Sequence, residues 1–179
     1  MTKKVKVRDK YFELSITENE VITRIKTIAR ELQPSIKGKN PLFVCVLNGA
    51  FMFAADLLKC IEEPCEVSFV KYASYHGASS SGAVKHLIGL NEQIQGRLIV
   101  VVEDIIDTGI TMHGMLETLR TEGAGNIIVV SLLAKPAALK VPLTIDYIGF
   151  DIPNDFVVGY GLDYNGMGRN LPGIYKVVD

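Results

Sequence analysis

Long apolar runs are missing from this 179-residue chain. Leu42–Leu47 and Leu98–Val102 are short, whereas a membrane-spanning helix needs about 20 apolar residues. The N-terminus, Met1-Thr2-Lys3-Lys4, is charged and leads into Val5-Lys6-Val7-Arg8 with no apolar signal core. The expectation is a chain with no secretory or membrane segment. Cysteine is scarce: Cys45, Cys60 and Cys65 make an odd count without a C-x-x-C pair. That pattern excludes a disulfide framework and fits a reducing, cytoplasmic setting. Net charge is also lacking, with 19 basic against 20 acidic residues and a balance of -1. The totals therefore advertise no nucleic-acid-binding surface. No G-x-x-x-x-G-K-[ST] phosphate loop occurs, and Gly123-Ala124-Gly125 lacks the third glycine of a dinucleotide fingerprint. His76, His86 and His113 share no short metal-ligand spacing. What remains is 48% hydrophobic and 22% charged. Such a chain buries a core without a disulfide or metal staple.

The order of elements reads as α/β. Thr17-Glu18-Asn19-Glu20 forms a capping box. Val21, Ile22, Ile25, Ile28, Ala29 and Leu32 follow at helical spacing, and Pro34 and Gly38 are the expected stop. A short strand is expected at Tyr11–Ile16. Leu42–Leu47 reads as a strand buried on both faces, with Cys45 as a small buried hydrophobe. Asn48-Gly49 breaks it, and Phe51–Ile61 reads as helical. Strands are expected at Val67–Tyr72, Val84–Leu90, Leu98–Val102, Ile127–Ala134 and Ile145–Phe150, with a helix over Thr111–Glu122 stopped by Gly123 and Gly125. Ser74–Lys85 is a Ser/Gly-rich polar loop. From Asp151 the tail is glycine-punctuated and reads as turns and short strands. Apolar strands alternating with helices predict a mainly parallel central sheet flanked by helices. Ligands of such sheets bind at the C-terminal strand ends, here just after Leu47, Tyr72, Val102 and Leu133.

The richest strand end is Glu103-Asp104-Ile105-Ile106-Asp107-Thr108-Gly109-Ile110-Thr111. Gly109 lets the backbone wrap around a ligand. Thr108 and Thr111 add hydroxyl donors at a helix N-terminus, which offers free N–H groups and a positive dipole end. That is a cradle for a phosphate monoester. Glu103 and Asp104 would repel a phosphate but suit ribose hydroxyls or a Mg²⁺ ion. Cradle and acid pair together describe a ribose 5-phosphate site.

The run Val100–Met112 resembles the phosphoribosyl-diphosphate-binding motif of type I phosphoribosyltransferases, and more narrowly that of the hypoxanthine-guanine enzymes. The resemblance extends over four motifs in order, from about Ile36 to Lys176. It implies that family's fold: a core at about 36–150, a small hood formed by terminal segments with its purine-binding part at about 151–179, and one phosphoribosyltransferase domain over 1–179. It implies Mg²⁺-dependent transfer of 5-phosphoribosyl from phosphoribosyl diphosphate to N9 of hypoxanthine or guanine in a cytoplasmic homodimer or homotetramer. Nucleic acid and membrane are not among the implied partners.

Residue by residue, the resemblance makes Asp107–Thr111, Ile110 included, the phosphate loop. Asp107 becomes the general base near purine N7. Glu103 and Asp104 become the ribose and Mg²⁺ acids. Leu47-Asn48-Gly49 matches the diphosphate loop, with Asn48 where the family often has lysine. Ser74-Tyr75 matches a mobile lid, which an oxocarbenium-like transition state needs against water. Lys135 matches the lysine that meets the purine 6-oxo group, and an ammonium, all donor, disfavours a 6-amino group. Phe156 would stack on the base, the carbonyls of Val157 and Asp163 would meet its C2 edge, the Asp163 side chain would help hold a second Mg²⁺, and Arg169 would bind diphosphate. Gly166-Met167-Gly168 departs from the bulkier residues common in the family. The Phe51–Ile61 helix is either a subunit interface or part of the core. The competing readings are a phosphoribosyltransferase for another base, an RNA-binding regulator on the same fold, and a receiver-like signalling domain. Lys135 argues against adenine, balanced charge against RNA, and the Phe156–Tyr164 segment against a receiver.

Overall fold

A computed structural model of the chain describes residues 4–73, 85–88 and 90–178. Its larger sheet takes strands from the middle of the chain: β3 (Leu42–Leu47), β4 (Glu66–Ala73), β5 (Lys85–Ile88), β6 (Ile99–Ile106), β7 (Ile127–Ala134) and β8 (Tyr147–Asp151). Their order is β5-β4-β3-β6-β7-β8. All neighbours are parallel except β5, which returns antiparallel to β4. The buried runs of β3, β6 and β7 follow from coverage on both faces. Helices α1 (Glu18–Ile36) and α2 (Phe51–Leu58) cover one face. There Phe43, Cys45, Val100, Val102 and Val130 meet Ile25, Ile28, Leu32, Phe53 and Leu57. Helix α3 (Ile110–Thr121) covers the other, where Val44, Val101 and Val129 meet Met112, Met115 and Leu119. Burial pushes the Cys45 thiol up to about 12, with Cys65 adding a smaller push, so it behaves as an apolar side chain.

The chain turns β3→β4 toward one edge and β6→β7→β8 toward the other. The switch point therefore lies between β3 and β6, where open α/β sheets bind ligands. Register sharpens this. β3 pairs with β6 only from Leu42↔Ile99 to Cys45↔Val102, whereas β6 and β7 stay paired to Ile106↔Ala134. Beyond Val102 the crevice between β3 and β6 opens, and the loop after β3 lies beside it.

A second sheet joins the chain's two ends. Its order is β1 (Lys4–Val7), β2 (Lys10–Ile16), β10 (Ile174–Val178) and β9 (Val157–Val158), all antiparallel. One of its clusters, Val7, Phe12, Val158 and Tyr175, is its own, while Val157, Tyr160, Leu162 and Ile174 join the core of the large sheet. This is the hood formed by terminal segments.

Most expected elements are present, and the differences have local causes. The capping box at Thr17 is made, with Glu20 accepting from the Thr17 amide at 2.8 Å. Helix α1 runs through Pro34 to Ile36, because Ile36 is a fully buried anchor and the missing donor falls in the last turn; Gly38, at φ +69°, then ends it. Helix α2 stops at Leu58, three residues earlier than expected, with the Lys59, Cys60 and Ile61 amides closing its last turn. Strand β6 extends four residues past Val102, so the acid pair lies inside a strand. Strand β1 was hidden by its alternating lysines. The Ser/Gly-rich segment falls almost wholly outside the described residues.

Candidate active site

Helix α3 is preceded by its cap residue Gly109, whose φ of +76° suits glycine. A Cβ there would come within 3.0 Å of Leu139, with Val141 and Leu143 just behind, so the segment after the short Pro136–Ala138 turn packs against the loop. The Lys140 amide donates to the Thr108 carbonyl at 3.0 Å and fixes it from outside. Gly109 offers α3 no side-chain cap, and Thr108 Oγ1 accepts only a long hydrogen bond from the Ile110 amide, at 3.5 Å. Thr108, Gly109, Thr111 and Met112 at the helix start border one small cleft, shared with Glu103 and Asp107. Orphan donors at a helix start are an anion cradle.

Glu103 and Asp104 lie on β6 just behind that cradle. The Asp104 amide donates to Glu103 Oε1 at 3.1 Å, and the Ile105 amide donates to Asp104 Oδ1 at 2.9 Å. Burial pushes the Glu103 carboxyl well above the usual range, and the charge of Asp104 adds to this. Burial also raises Asp104, against hydrogen bonds from Glu103 and the backbone and the positive charge of Arg169. Two crowded carboxyls of this kind hold a proton or attract a cation. They are hard oxygen donors, and Mg²⁺ takes few protein oxygens while keeping waters and substrate oxygens. The pair therefore fits that ion. Among the described residues no three His, Cys, Asp or Glu side chains are grouped so that they could hold a metal ion together.

The diphosphate-loop candidates meet this acid pair through glycine. The Leu47–Asn48 peptide is cis. Gly49 presses on Asp104: an added Cβ would overlap the Asp104 carboxylate. Gly161, at φ +101°, presses on Gly49 in turn, since its Cβ would land on the Gly49 carbonyl. Arg169 closes the group. Its Nη1 donates to the Gly161 carbonyl at 2.6 Å, and its Nη2 lies 2.6 Å from Asp163 Oδ1. The second Asp163 oxygen accepts from the Gly166 amide. Asn48, Gly49, Asp104, Gly161, Asp163 and Arg169 thus form one corner drawn from three distant segments.

Asp107 and Lys135 form the other corner. They follow Ile106 and Ala134, which are paired across β6 and β7. Lys135 Nζ donates to Asp107 Oδ2 at 3.1 Å. The lysine side chain is 8% exposed and the aspartate 49%. A buried ammonium needs such a partner, and Lys135 is not a solvated strand-end lysine.

Phe156 is 45% exposed and packs edge-on against Tyr164 at 5.6 Å, which leaves part of its ring open. Val157 lies in β9. Ser74 and Tyr75 lie outside the described residues. Sequence reasoning missed Gly161 and Tyr160 as site-builders. The signal was present in Gly159-Tyr160-Gly161, an aromatic residue between two glycines.

The chain matches the phosphoribosyl transferase domain family over residues 14–165. It is 44% identical over 158 residues to the hypoxanthine-guanine phosphoribosyltransferase of Lactococcus lactis subsp. lactis, covering 88% of this chain and 86% of that protein. It is 44% identical over 164 residues to the bifunctional protein TilS/HprT of Listeria monocytogenes, and it spans a quarter of that longer protein's length. Among solved structures it resembles the Trypanosoma cruzi hypoxanthine phosphoribosyltransferase in complex with the product IMP, with a TM-score of 0.88, 34% identity and 97% of each chain covered. With the helix-start cleft and the acid pair at the end of β6, beside the sheet's switch point, and the match extending over most of its length, this chain belongs to the phosphoribosyltransferase family, among the hypoxanthine-guanine phosphoribosyltransferases.

Proposed function

We propose that the chain salvages purines: it transfers 5-phosphoribosyl from phosphoribosyl diphosphate to N9 of hypoxanthine or guanine, giving IMP or GMP and diphosphate. The observation that carries this is the buried Lys135 held 3.1 Å from Asp107 beside the phosphate cradle. Phosphoribosyl chemistry alone has no use for a buried ammonium there, whereas the oxygen of a 6-oxopurine is an acceptor that an all-donor group suits.

The Asp107–Thr111 loop binds the 5′-phosphate through N–H groups and hydroxyls. Glu103 and Asp104 take the ribose hydroxyls and are the residues that would hold Mg²⁺, with Asp163 proposed for a second ion. Bound Mg²⁺ supplies charge neutralisation for the diphosphate. Leu47, Asn48, Gly49 and Arg169 hold that diphosphate and stabilise it as it leaves. Asn48 does so without a side-chain charge, so the loop's backbone and Arg169 carry the grip. Lys135 donates to the purine 6-oxo oxygen, and Phe156 stacks on the ring. The carbonyls of Val157 and Asp163 accept from the C2 edge. Asp107 accepts or relays the N7 proton. The C1′–diphosphate bond breaks ahead of attack by N9, so no covalent enzyme intermediate forms.

Residues 1–179 act in this reading as one phosphoribosyltransferase domain, with the core at about 36–150 and the purine-binding tail at about 151–179. The three cysteines are free, which suits the cytoplasm. No helix among the described residues is long and apolar enough to cross a membrane. Helix α2 serves the core through Phe53, Ala54 and Leu57, while Phe51, Val67 and Phe69 remain exposed apolar side chains suited to a homodimer or homotetramer contact.

The test is a purine panel with phosphoribosyl diphosphate and Mg²⁺. Turnover of hypoxanthine or guanine with little of adenine supports the reading. Folded protein that turns over none of hypoxanthine, guanine, xanthine and adenine refutes it.

A further inference from the structure

Tyr160 lies in the hood loop yet is only 2% exposed. Its ring enters the core shared with Phe53 and Leu57, and its hydroxyl donates a hydrogen bond to the Asp56 carboxylate on α2. The backbone bends sharply to make this possible. Tyr160 sits at φ +48°, between Gly159 at +100° and Gly161 at +101°. A bulky side chain in that region persists only where its surroundings hold it.

The two ends of this hydrogen bond lead to the same place. On one side, α2 begins directly after Asn48-Gly49, and the Ala50 amide ties its start to Val46 at the end of β3. On the other side, Gly161 follows Tyr160, rests on the Gly49 carbonyl, and exchanges hydrogen bonds with Arg169 in both directions, amide to carbonyl at 2.9 Å and guanidinium to carbonyl at 2.6 Å. A displacement of Tyr160 therefore reaches Arg169 through one residue. Asp56 is itself fixed by Lys59, at 2.8 Å one turn away.

We infer that the Tyr160–Asp56 pair is a positioning latch that sets the hood residue Arg169 against the Asn48–Gly49 loop and so completes the diphosphate subsite. The inference rests on the proposed reading of Arg169 and that loop as diphosphate ligands. In that reading Tyr160 and Asp56 act through Arg169 and the loop rather than on substrate. The latch leaves the Asp107–Lys135 corner alone, because those residues hang from β6 and β7.

The full chain is assayed with Tyr160→Phe, Asp56→Ala, Asp56→Asn and the Tyr160→Phe/Asp56→Ala double variant. Tyr160→Phe keeps the ring and the fold and removes one hydroxyl. The expected result is a KM for phosphoribosyl diphosphate raised about five- to tenfold, the size of one ordinary net hydrogen bond, with purine KM unchanged. Asp56→Ala gives the same effect, Asp56→Asn restores most of it by keeping an acceptor, and the double variant is no worse than either single one. A Tyr160→Phe enzyme that melts lower but binds both substrates normally overturns the latch, as does an equal rise in both KM values. Should the wild-type chain turn over no purine, the function reading fails, and the latch is judged instead by calorimetry with inorganic diphosphate and Mg²⁺. Weaker binding by Tyr160→Phe then supports it, and equal binding overturns it.

Discussion

The two corners of the site are built by opposite means. Asp107 and Lys135 extend from adjacent parallel strands whose register puts Ile106 opposite Ala134, so the sheet itself brings them to 3.1 Å. Gly49, Asp104, Gly161 and Arg169 come from three segments far apart in the chain, and they meet because two glycines let backbone touch backbone and carboxylate. At the first corner the side chain is the functional group and the backbone is insulated by a buried sheet. At the second, the backbone is part of the group. A side-chain substitution at the first should change chemistry and spare geometry; at the second, a methyl group should disturb geometry before chemistry.

The largest effect expected from this contrast is at Asp107. Asp107→Asn preserves shape and removes the base, so kcat should fall by about 100-fold or more, with the KM for phosphoribosyl diphosphate within about threefold of wild type. Steady-state kinetics in both substrates decide this; comparable loss of kcat and donor binding would contradict the base assignment.

Next comes Gly161→Ala. The new Cβ meets the Gly49 carbonyl at a backbone angle that L residues rarely adopt. About 1–3 kcal/mol of strain is expected, seen in denaturant melts, together with a donor KM raised more than the purine KM. A variant of normal stability and normal donor KM would show that the hood does not press on the loop.

This contrast also explains what was legible in the sequence. The sheet, its buried strands and the phosphate cradle were readable because apolar runs, a capping box and the Asp107–Thr111 pattern are local signals. Lys135 was readable as a strand-end residue, but its burial was not, since burial depends on which strand lies beside β7. The extension of β6 to Ile106 was hidden because two acids interrupt its apolar pattern, and their place in the strand comes from pairing with β7. The Gly49–Gly161 contact joins positions 112 residues apart in a loop and a tail. Gly161 could be read as a turn residue, but only the folded hood shows what it touches. Pro34 misled for the opposite reason: a strong local stop was overridden by the burial of Ile36.

The smallest expected effect concerns acid stability at the latch. Burial pulls the Asp56 carboxyl upward, but the hydrogen bonds from Lys59 and Tyr160 prevail and hold it below its ordinary 3.8. A carboxyl lowered in the folded state stabilises the fold above its unfolded value, and that contribution is lost as pH falls through the folded value. Glu18 and Cys60 are the other ionisable groups acting on Tyr160. The melting-temperature gap between wild type and Tyr160→Phe should therefore be full at about pH 6–8 and narrow below about pH 4. A gap independent of pH would show that the Asp56 charge contributes nothing to the bond.

The central claim, a site divided between a purine corner on the strands and a diphosphate corner under the hood, is tested most directly by a crossed pair of variants. Lys135→Gln and Arg169→Gln are each assayed for KM in both substrates. The account predicts a crossed pattern: Lys135→Gln raises the purine KM and admits adenine, while Arg169→Gln raises the phosphoribosyl diphosphate KM, each by about tenfold or more. Two variants that raise the same KM, or that each raise both equally, would contradict the division.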